Sequence, residues 1–524
     1  MRQAVGQIGP NHACEALVCS AQPGLNAGMS DMFSRRLFLV LTAGLLAQKA
    51  VAEPPVVSLR PVVRGAGHFK KTVPSSDTIV ERARLDGRVT FAVADAQTGQ
   101  RLEGRNTKTA TPPASVAKAI TALYALDVLG PSHRFLTRLV VTGEVADGVV
   151  HGDLVLVGGG DPTLTTNDLG EMAKTLKAQG IREVRGAFMV AEGALPYVKS
   201  IDRDQPDHVG YSPAVSGVAL NNNRVHFQWR RAGGGYGVSM TARTDRYRPQ
   251  VAMAKMQIVN RDTPVYTYKS AAGADTWTVA RHALGQDGAR WLPVRKPALY
   301  AGDVLQTLMR SHGIVLGSPK ITNATPAGTI LVEHKSEDLN SILRAMLRFS
   351  TNLTAEMVGM SATAKRLGQV PSLKASAAEM NRWADAALGA KGIRLVDHSG
   401  LGSDSRMTAD AMVAALVRAH DTASLRPILR TIAMRDKRGR VLKSHPIEAQ
   451  GKTGTLNFVS GLAGYMTGKD GRVLAFAIFA VDKARRRRIS KANREAPGGA
   501  RSWNRRAKTM QLRLIERWGI LYST

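Results

Sequence analysis

Helical periodicity is clearest in three segments of the chain. Residues 114–129 are almost entirely apolar, and Pro-Pro before them and Gly-Pro after them are typical start and stop signals of a helix. Apolar residues recur at helical spacing over 339–349 and again over 353–367. A polar tripeptide at 350–352 separates these two patterns, so we predict two consecutive helices with a polar break between them.

Strand patterns lie on both sides of these helices. Residues 89–94 form an apolar run that a turn sequence at 97–100 closes. Towards the C-terminus, 462–467 and 473–481 flank a Gly-Lys-Asp-Gly turn, and a segment with a Lys-Thr-Gly tripeptide precedes them. This pattern predicts a strand followed by a hairpin.

The middle of the chain has a different character. Residues 145–325 are rich in glycine and in short alternating patterns, which predicts a β-rich domain inserted into a discontinuous catalytic domain. The first part of that catalytic domain is then 78–144 and the second is 326–524, while 53–77 is a basic linker that contains proline. The length of 524 residues is compatible with about three domains of ~150 residues each.

Residues 1–52 resemble an export leader. Two arginines, Arg35 and Arg36, precede an apolar stretch that is too short to span a bilayer, and an Ala-Val-Ala cleavage pattern ends at residue 52. Both twin-arginine and general secretory export fit this pattern. Both cysteines of the chain, Cys14 and Cys19, lie in the leader. We therefore predict a periplasmic protein that needs no disulfide bond.

The formal net charge of +31 is concentrated at the C-terminal end, where 483–524 carries 13 Lys and Arg residues against 2 Asp and Glu residues. Such a basic tail suggests a polyanionic partner. For an exported protein an anionic membrane or wall surface is the available partner and nucleic acid is not, although a solvated charged face explains the tail equally well. Scattered histidines without metal-ligand spacing predict neither a metal nor a cofactor.

Ser115 and Lys118 form an S-x-x-K pair at the start of the first predicted helix. Residues three apart share a helix face, so the amine of Lys118, once neutral, could take the proton of the Ser115 hydroxyl. Lowering the pKa of Lys118 requires burial or a nearby like charge, for which Lys452 is a candidate. Taken alone, the pair is more often solvated helix surface.

Ser350 and Asn352 occupy the polar break between the two later helices. A hydroxyl there could pass a proton to a leaving amine, and an amide could bind a substrate carbonyl. The alternative is an ordinary helix cap, because Ser, Thr and Asn are the preferred capping residues. A second S-x-N at 502–504 shows how common the pattern is.

Lys452, Thr453, Gly454 and Thr455 lie on the predicted strand before the hairpin. A lysine and hydroxyl groups on an edge strand could hold a terminal carboxylate, the Thr455 N–H could bind an oxyanion, and Gly454 would let a ligand approach the backbone closely. An exposed turn with a lysine is the alternative. The order and spacing of all three motifs favour a common cleft.

With these motifs the chain resembles the low-molecular-mass class C penicillin-binding proteins, the D-alanyl-D-alanine carboxypeptidase/endopeptidases of peptidoglycan. The resemblance also includes the segments at 157–164, 220–225, 350–356 and 397–401. It implies an α/β (α+β) class, with the β-lactamase/transpeptidase-like fold of helices around an antiparallel sheet, interrupted by a large β-rich inserted domain.

The resemblance also implies roles for the motif residues and two kinds of ligand. Ser115 is the nucleophile, Lys118 the base and Ser350 the proton relay, whereas Asn352 and the strand residues already described bind substrate. The ligands are peptidoglycan stem peptides and β-lactam inhibitors. Where relatives often have Ser-Arg after 399–401, this chain has Gly-Ser, which leaves Arg406 as a candidate replacement.

Two other classes remain open from the residues alone. One is a β-lactamase-like serine hydrolase, although no E-x-x-L-N motif lies between the S-x-N and K-T-G motifs, which argues against class A chemistry. The other is a non-catalytic protein that binds the cell wall, against which the intact set of three motifs argues.

Overall fold

The structure is a computed structural model that describes residues 73–522, apart from 272, 423 and 437. The predicted leader, 1–52, and most of the predicted linker, 53–77, lie outside the described residues, and a helix already begins at Ser76. The described residues belong to one compact unit. Within the described part of the chain, no helix combines the length and apolarity needed to cross a bilayer.

The described residues form 20 strands and ten α-helices. The strands are β1 Arg88–Asp95, β2 Arg101–Arg105, β3 Leu136–Val141, β4 Val145–Ala146, β5 Val149–Val150, β6 Leu154–Gly158, β7 Glu183–Val184, β8 Phe188–Ala191, β9 Arg224–Ala232, β10 Gly235–Thr241, β11 Ala254–Val259, β12 Tyr266–Ala271, β13 Ala274–Ala280, β14 Asp287–Pro293, β15 Pro319–Thr322, β16 Thr329–Lys335, β17 Arg430–Thr431, β18 Glu448–Leu456, β19 Val459–Thr467 and β20 Val473–Val481. The helices are α1 Ser76–Arg82, α2 Ala117–Leu129, α3 Thr166–Ala178, α4 Pro297–Ser311, α5 Leu339–Phe349, α6 Asn352–Leu367, α7 Leu373–Leu388, α8 Ala409–Asp421, α9 Lys483–Arg487 and α10 Ala500–Tyr522.

A six-stranded antiparallel sheet in the order β17-β18-β19-β20-β1-β2 is the centre of the catalytic region. Strand β20 is apolar along its whole length because both faces of the sheet are covered. Its alternate residues Ala475, Ala477 and Phe479 join the core formed with α2 and α5–α8. Phe476 and Ile478 point to the opposite face and join the core formed with α10.

The inserted region contains a five-stranded sheet in the order β15-β8-β6-β3-β16, which α3 and α4 cover, and three further three-stranded sheets. Its bounds differ from the predicted 145–325. Strand β3 pairs with β6, and β16 pairs with β3, so strands before 145 and after 325 belong to this sheet and not to the catalytic one. A local pattern identifies a strand but not its partner, which is why the sequence placed both boundaries too far inward.

The basic C-terminal segment contains a packed helix, α10. Helix α10 buries Trp503, Leu514 and Trp518 against the catalytic sheet, and the Trp518 ring contacts Phe91 and Phe476. The indole N–H of Trp518 donates to a Glu103 carboxylate oxygen at 2.8 Å. The apolar face of the helix is therefore part of the core, and its basic residues lie on the remaining faces.

We expect Trp518→Ala to lower the free energy of unfolding by about 3–5 kcal/mol, because it removes a fully buried aromatic side chain and leaves a cavity. Urea unfolding, monitored by far-ultraviolet circular dichroism because the substitution removes a fluorophore, measures the change in the free energy of unfolding. Ile520→Ala, two residues further on and 42% exposed, is the matched control and should change stability by no more than about 0.5 kcal/mol. Equal effects of both substitutions would contradict the packing of α10.

Candidate active site

Ser115 lies in a single 3₁₀ turn, Ala114–Val116, that leads directly into α2. Two backbone segments come close to this turn. A Cβ atom at Gly400 would lie 2.0 Å from the Ala114 carbonyl oxygen, and one at Gly454 would lie 3.1 Å from the Ser115 amide nitrogen. Only residues without a side chain fit there, so the turn that carries Ser115 is held between β18 and the 397–402 loop.

Lys118 is completely buried one helical turn beyond Ser115. Its Nζ lies 3.0 Å from the Ser115 Oγ, 2.7 Å from the Asn352 Oδ1 and 2.9 Å from the Ser399 carbonyl oxygen. A neutral amine has two N–H groups and one lone pair. The amide oxygen of Asn352 and the carbonyl of Ser399 can only accept, so a neutral amine that donates to both has its lone pair left for the Ser115 hydroxyl, while an ammonium group donates to all three oxygens.

Burial lowers the pKa of Lys118, while the carboxyl groups of Glu356 and Asp397 act in the opposite direction. Of the two routes considered, burial or a nearby like charge, burial is the one that lowers the pKa of Lys118. Burial first, and then the charges of Lys118 and Arg430, lower the pKa of Lys452 to about 6.

The polar break between α5 and α6 is not a side-chain cap. Ser350 has left-handed backbone geometry, with φ of 60°, and ends α5, while Thr351 precedes α6 without a capping hydrogen bond from its side chain. Asn352 is the first residue of α6. Its Oδ1 accepts from Lys118, and its Nδ2 donates to the Tyr211 carbonyl oxygen at 2.8 Å. The backbone turn thus directs the Ser350 and Asn352 side chains into the cleft.

Lys452 lies on β18, almost fully buried, and its Nζ donates to the Ser350 Oγ at 2.9 Å and to the Thr453 carbonyl oxygen at 2.8 Å. The short strand β17 pairs with β18 only at Gln450 and Gly451. The part of β18 that carries 452–455 is therefore an edge beside the Ser115 turn, as predicted.

Four residues that we did not assign to the site support it. Glu356, buried within α6, accepts from the backbone N–H groups of His398 at 2.8 Å and Ser399 at 3.0 Å. Asp397 accepts from the N–H groups of Gly400 and Gly402. The two carboxyl groups fix the loop whose Ser399 carbonyl contacts Lys118. Tyr211 likewise acts through its backbone oxygen, for which side-chain patterns give no signal.

A cleft of about 1030 Å³ opens above Ser115, Ser350 and Asn352. The basic segment forms one of its walls with Arg486, Arg494 and the residues of the second S-x-N, Ser502 and Asn504. Arg406, considered above as a substrate contact, instead donates to the carbonyl oxygens of Ser403 and Ser405 and does not line the cleft.

The described residues contain no group of three or more His, Cys, Asp and Glu side chains that could hold a metal ion.

Comparison with known proteins agrees with this architecture. The model of the D-Ala-D-Ala carboxypeptidase 3 (S13) family matches residues 75–496. A D-alanyl-D-alanine carboxypeptidase of Actinomadura sp. strain R39 is 29% identical over 483 residues, which cover 81% of this chain and 86% of that protein. DacB of Haemophilus influenzae, also described as a D-alanyl-D-alanine carboxypeptidase, is 23% identical over 75% of this chain and 85% of its own.

Solved structures show the same fold. The crystal structure of penicillin-binding protein 4 from Haemophilus influenzae superimposes with a TM-score of 0.70, at 19% identity, over 86% of this chain and all of that one. The structure of that protein in complex with a β-lactam gives a TM-score of 0.67. The predicted fold class is confirmed, and the chain belongs to the D-Ala-D-Ala carboxypeptidase 3 (S13) family of serine peptidases.

Proposed function

We propose that this enzyme releases the terminal D-alanine from peptidoglycan stem peptides, and opens D-alanyl cross-links, through an acyl-enzyme on Ser115. The observation that carries the proposal is the arrangement around Lys118, whose amine contacts the Ser115 hydroxyl and two groups that can only accept. Burial lowers the pKa of Lys118 to about 8, which brings the neutral, lone-pair-bearing form that a general base needs within reach near neutral pH.

Acylation begins when Lys118 takes the hydroxyl proton and the Ser115 oxygen attacks the carbonyl carbon of the penultimate D-alanine. The backbone N–H groups of Ser115 and Thr455 are the proposed donors to the oxyanion. The close approach of β18 to the Ser115 amide at Gly454 supports this pairing. The Asn352 amide, held between Lys118 and the Tyr211 carbonyl, orients the substrate amide next to the bond that breaks.

Expulsion of the leaving D-alanine needs a proton on its nitrogen. Ser350 accepts a hydrogen bond from Lys452 through its Oγ, so its own O–H is free to donate to the leaving amine. The proton that Lys118 took from Ser115 is passed on to Ser350 and restores its hydroxyl, so Ser350 acts as a relay. Water then hydrolyses the ester and restores Ser115. A β-lactam ring opened by the same attack stays attached to the serine, which accounts for the proposed binding of penicillins.

The C-terminal carboxylate of the substrate is the proposed partner of Lys452 and Thr453. Lys452 is largely neutral at pH 7.5 in the free enzyme, because its pKa is lowered to about 6. An anion bound beside it favours the ammonium form, so substrate binding and protonation of Lys452 are coupled.

We further propose that the protein acts in the periplasm, since the leader at 1–52 has the pattern of an export signal and the substrate lies outside the cytoplasm. Basic residues of 483–524 that remain exposed would hold it near an anionic membrane or wall surface. Part of this charge is already paired within the protein, as in the contacts of Arg485 with Asp86 and of Lys491 with Asp207.

We expect Ser115→Ala to reduce both covalent labelling by a fluorescent penicillin and D-alanine release from a pentapeptide by at least about 10³-fold, because it removes the oxygen that is acylated. Gel fluorescence and an enzymatic D-alanine assay measure the two effects. Ser132→Ala, an exposed serine beyond the end of α2, is the control and should retain both activities. Labelling of Ser115→Ala at the wild-type rate would refute the assignment.

We expect peptide binding at pH 7.5 to take up as much as about one proton, because the carboxylate raises the pKa of Lys452 from about 6 to above the solution pH. Isothermal titration calorimetry of Ser115→Ala, which binds without turnover, measures the uptake as a dependence of the binding enthalpy on the buffer's ionisation enthalpy. A peptide with a C-terminal amide is the control and should show little uptake. If the peptide with a free C-terminal carboxylate gives the same binding enthalpy in phosphate and Tris buffers, the coupling between substrate binding and protonation of Lys452 is contradicted.

A further inference from the structure

A second cavity of about 420 Å³ adjoins the catalytic cleft. Tyr211, Ser350 and Asn352 line both spaces, and the hydrogen bond from Asn352 to the Tyr211 backbone forms the ridge between them. One side of this cavity comes from the inserted region and the other from the break between α5 and α6. Nothing in the proposed acylation chemistry uses its far side.

Three aromatic residues surround this cavity while remaining open to solvent. Tyr211 is 43% exposed, Trp291 36% and Phe349 68%. Exposed aromatic side chains that converge on one concavity next to a reactive group are typical of a binding surface. They offer flat apolar faces to a ligand and leave its polar end to be bound by other groups.

Arg224 is the polar group that this cavity leaves without a counter-charge. Its side chain lies along Gly210, where a Cβ atom would come within 3.2 Å of the Arg224 Cδ, and its guanidinium lies 5.7 Å from the Trp291 ring centre. No carboxylate forms an ion pair with it in the part of the chain that the structure describes, and its buried Nε has no hydrogen-bond partner there. Arg290, which lines the same cavity, is by contrast paired with Glu495 at 2.6 Å.

A partly buried guanidinium without an anion is unfavourable, and burial lowers the pKa of Arg224 accordingly. A carboxylate is the group that satisfies it best, because two parallel N–H donors match its two oxygens. The surrounding rings require that this carboxylate be carried on an apolar stem. A ligand with both features is a peptide segment with an acidic side chain.

We propose that Arg224, with the rings of Tyr211, Trp291 and Phe349, forms an accessory subsite for a carboxylate of the peptide substrate that lies near the bond attacked by Ser115. The subsite rests on the function proposed above and gives the inserted region a part in substrate selection. It favours acidic over neutral peptides with the same D-Ala-D-Ala end, and the acylating residues do not take part in this choice.

The test uses pairs of peptides ending in D-Ala-D-Ala that differ only in Glu against Gln at the first, second or third residue before the D-alanines. We expect Arg224→Gln to lower kcat/KM for the Glu member of at least one pair about tenfold and to change its Gln partner less than about twofold. Arg344→Gln removes the same charge from the exposed face of α5, outside the cavity, and should leave both members unchanged.

Labelling by a fluorescent penicillin, which needs only Ser115 and its neighbours, should persist in both variants and shows that they are folded. If Arg224→Gln does not label, Arg224→Lys, which keeps the charge but not the forked geometry, replaces it in the same comparison. Equal losses for Glu and Gln peptides, or no loss at any position, would overturn the subsite. A wild-type enzyme that releases no D-alanine from any peptide would instead refute the proposed function.

The carboxylate could also come from a second peptide chain. An acidic peptide without D-alanine, added in excess, tests this source. One outcome would show that the carboxylate bound by Arg224 does not belong to the substrate. In that outcome the acidic peptide inhibits the wild type but not Arg224→Gln, and the wild type does not discriminate between Glu and Gln substrates. If the wild type discriminates between the Glu and Gln members of a pair and the acidic peptide does not inhibit it, the result supports a carboxylate of the substrate itself.

Discussion

The site depends on one buried amine. Lys118 is enclosed by the Ser115 hydroxyl, the Asn352 amide oxygen and the Ser399 carbonyl, which come from three separate segments of the chain. Desolvation at this depth lowers the pKa of Lys118 to about 8, and the three oxygens give either protonation state of the amine a partner for each of its polar positions. The same contacts that make burial tolerable therefore hold the amine against the Ser115 hydroxyl.

Two buried carboxyl groups explain how this arrangement stays in place. Glu356 and Asp397 hold the 397–402 loop through its backbone N–H groups, and burial raises the pKa of both. They lie close enough to Lys118 to oppose the effect of its burial on its pKa. The electrostatic state of the base is thus a balance between desolvation and these two groups, and any substitution that moves the loop changes that balance.

The walls of the cleft and of the adjoining cavity, in contrast, come partly from regions outside the three motifs. The inserted region supplies Tyr211 and Arg224, and the basic C-terminal segment supplies Arg486 and Arg494 to the wall of the main cleft. Part of the positive charge of this segment therefore lies beside the cleft, as in Arg486 and Arg494, or is paired within the fold, as in Arg485 and Lys491. The insert and the C-terminal segment complete a cleft that the catalytic sheet and helices alone would leave open.

Local patterns in the sequence determined the elements that carry the site. The helix before Gly130, the two helices on either side of Ser350 and the hairpin after Lys452 all follow from periodicity and turn residues, because these report short-range geometry. The order of the three motifs was enough to suggest their common chemistry.

Tertiary structure alone decided the rest. The carbonyl acceptors at Ser399 and Tyr211 belong to the backbone, and no side-chain pattern marks them. The membership of β3 and β16 in the inserted sheet, and the placing of the basic segment beside the cleft, depend on pairings between distant residues. The pKa values of the two lysines are lowered first by burial, and burial is a property of the folded chain as a whole.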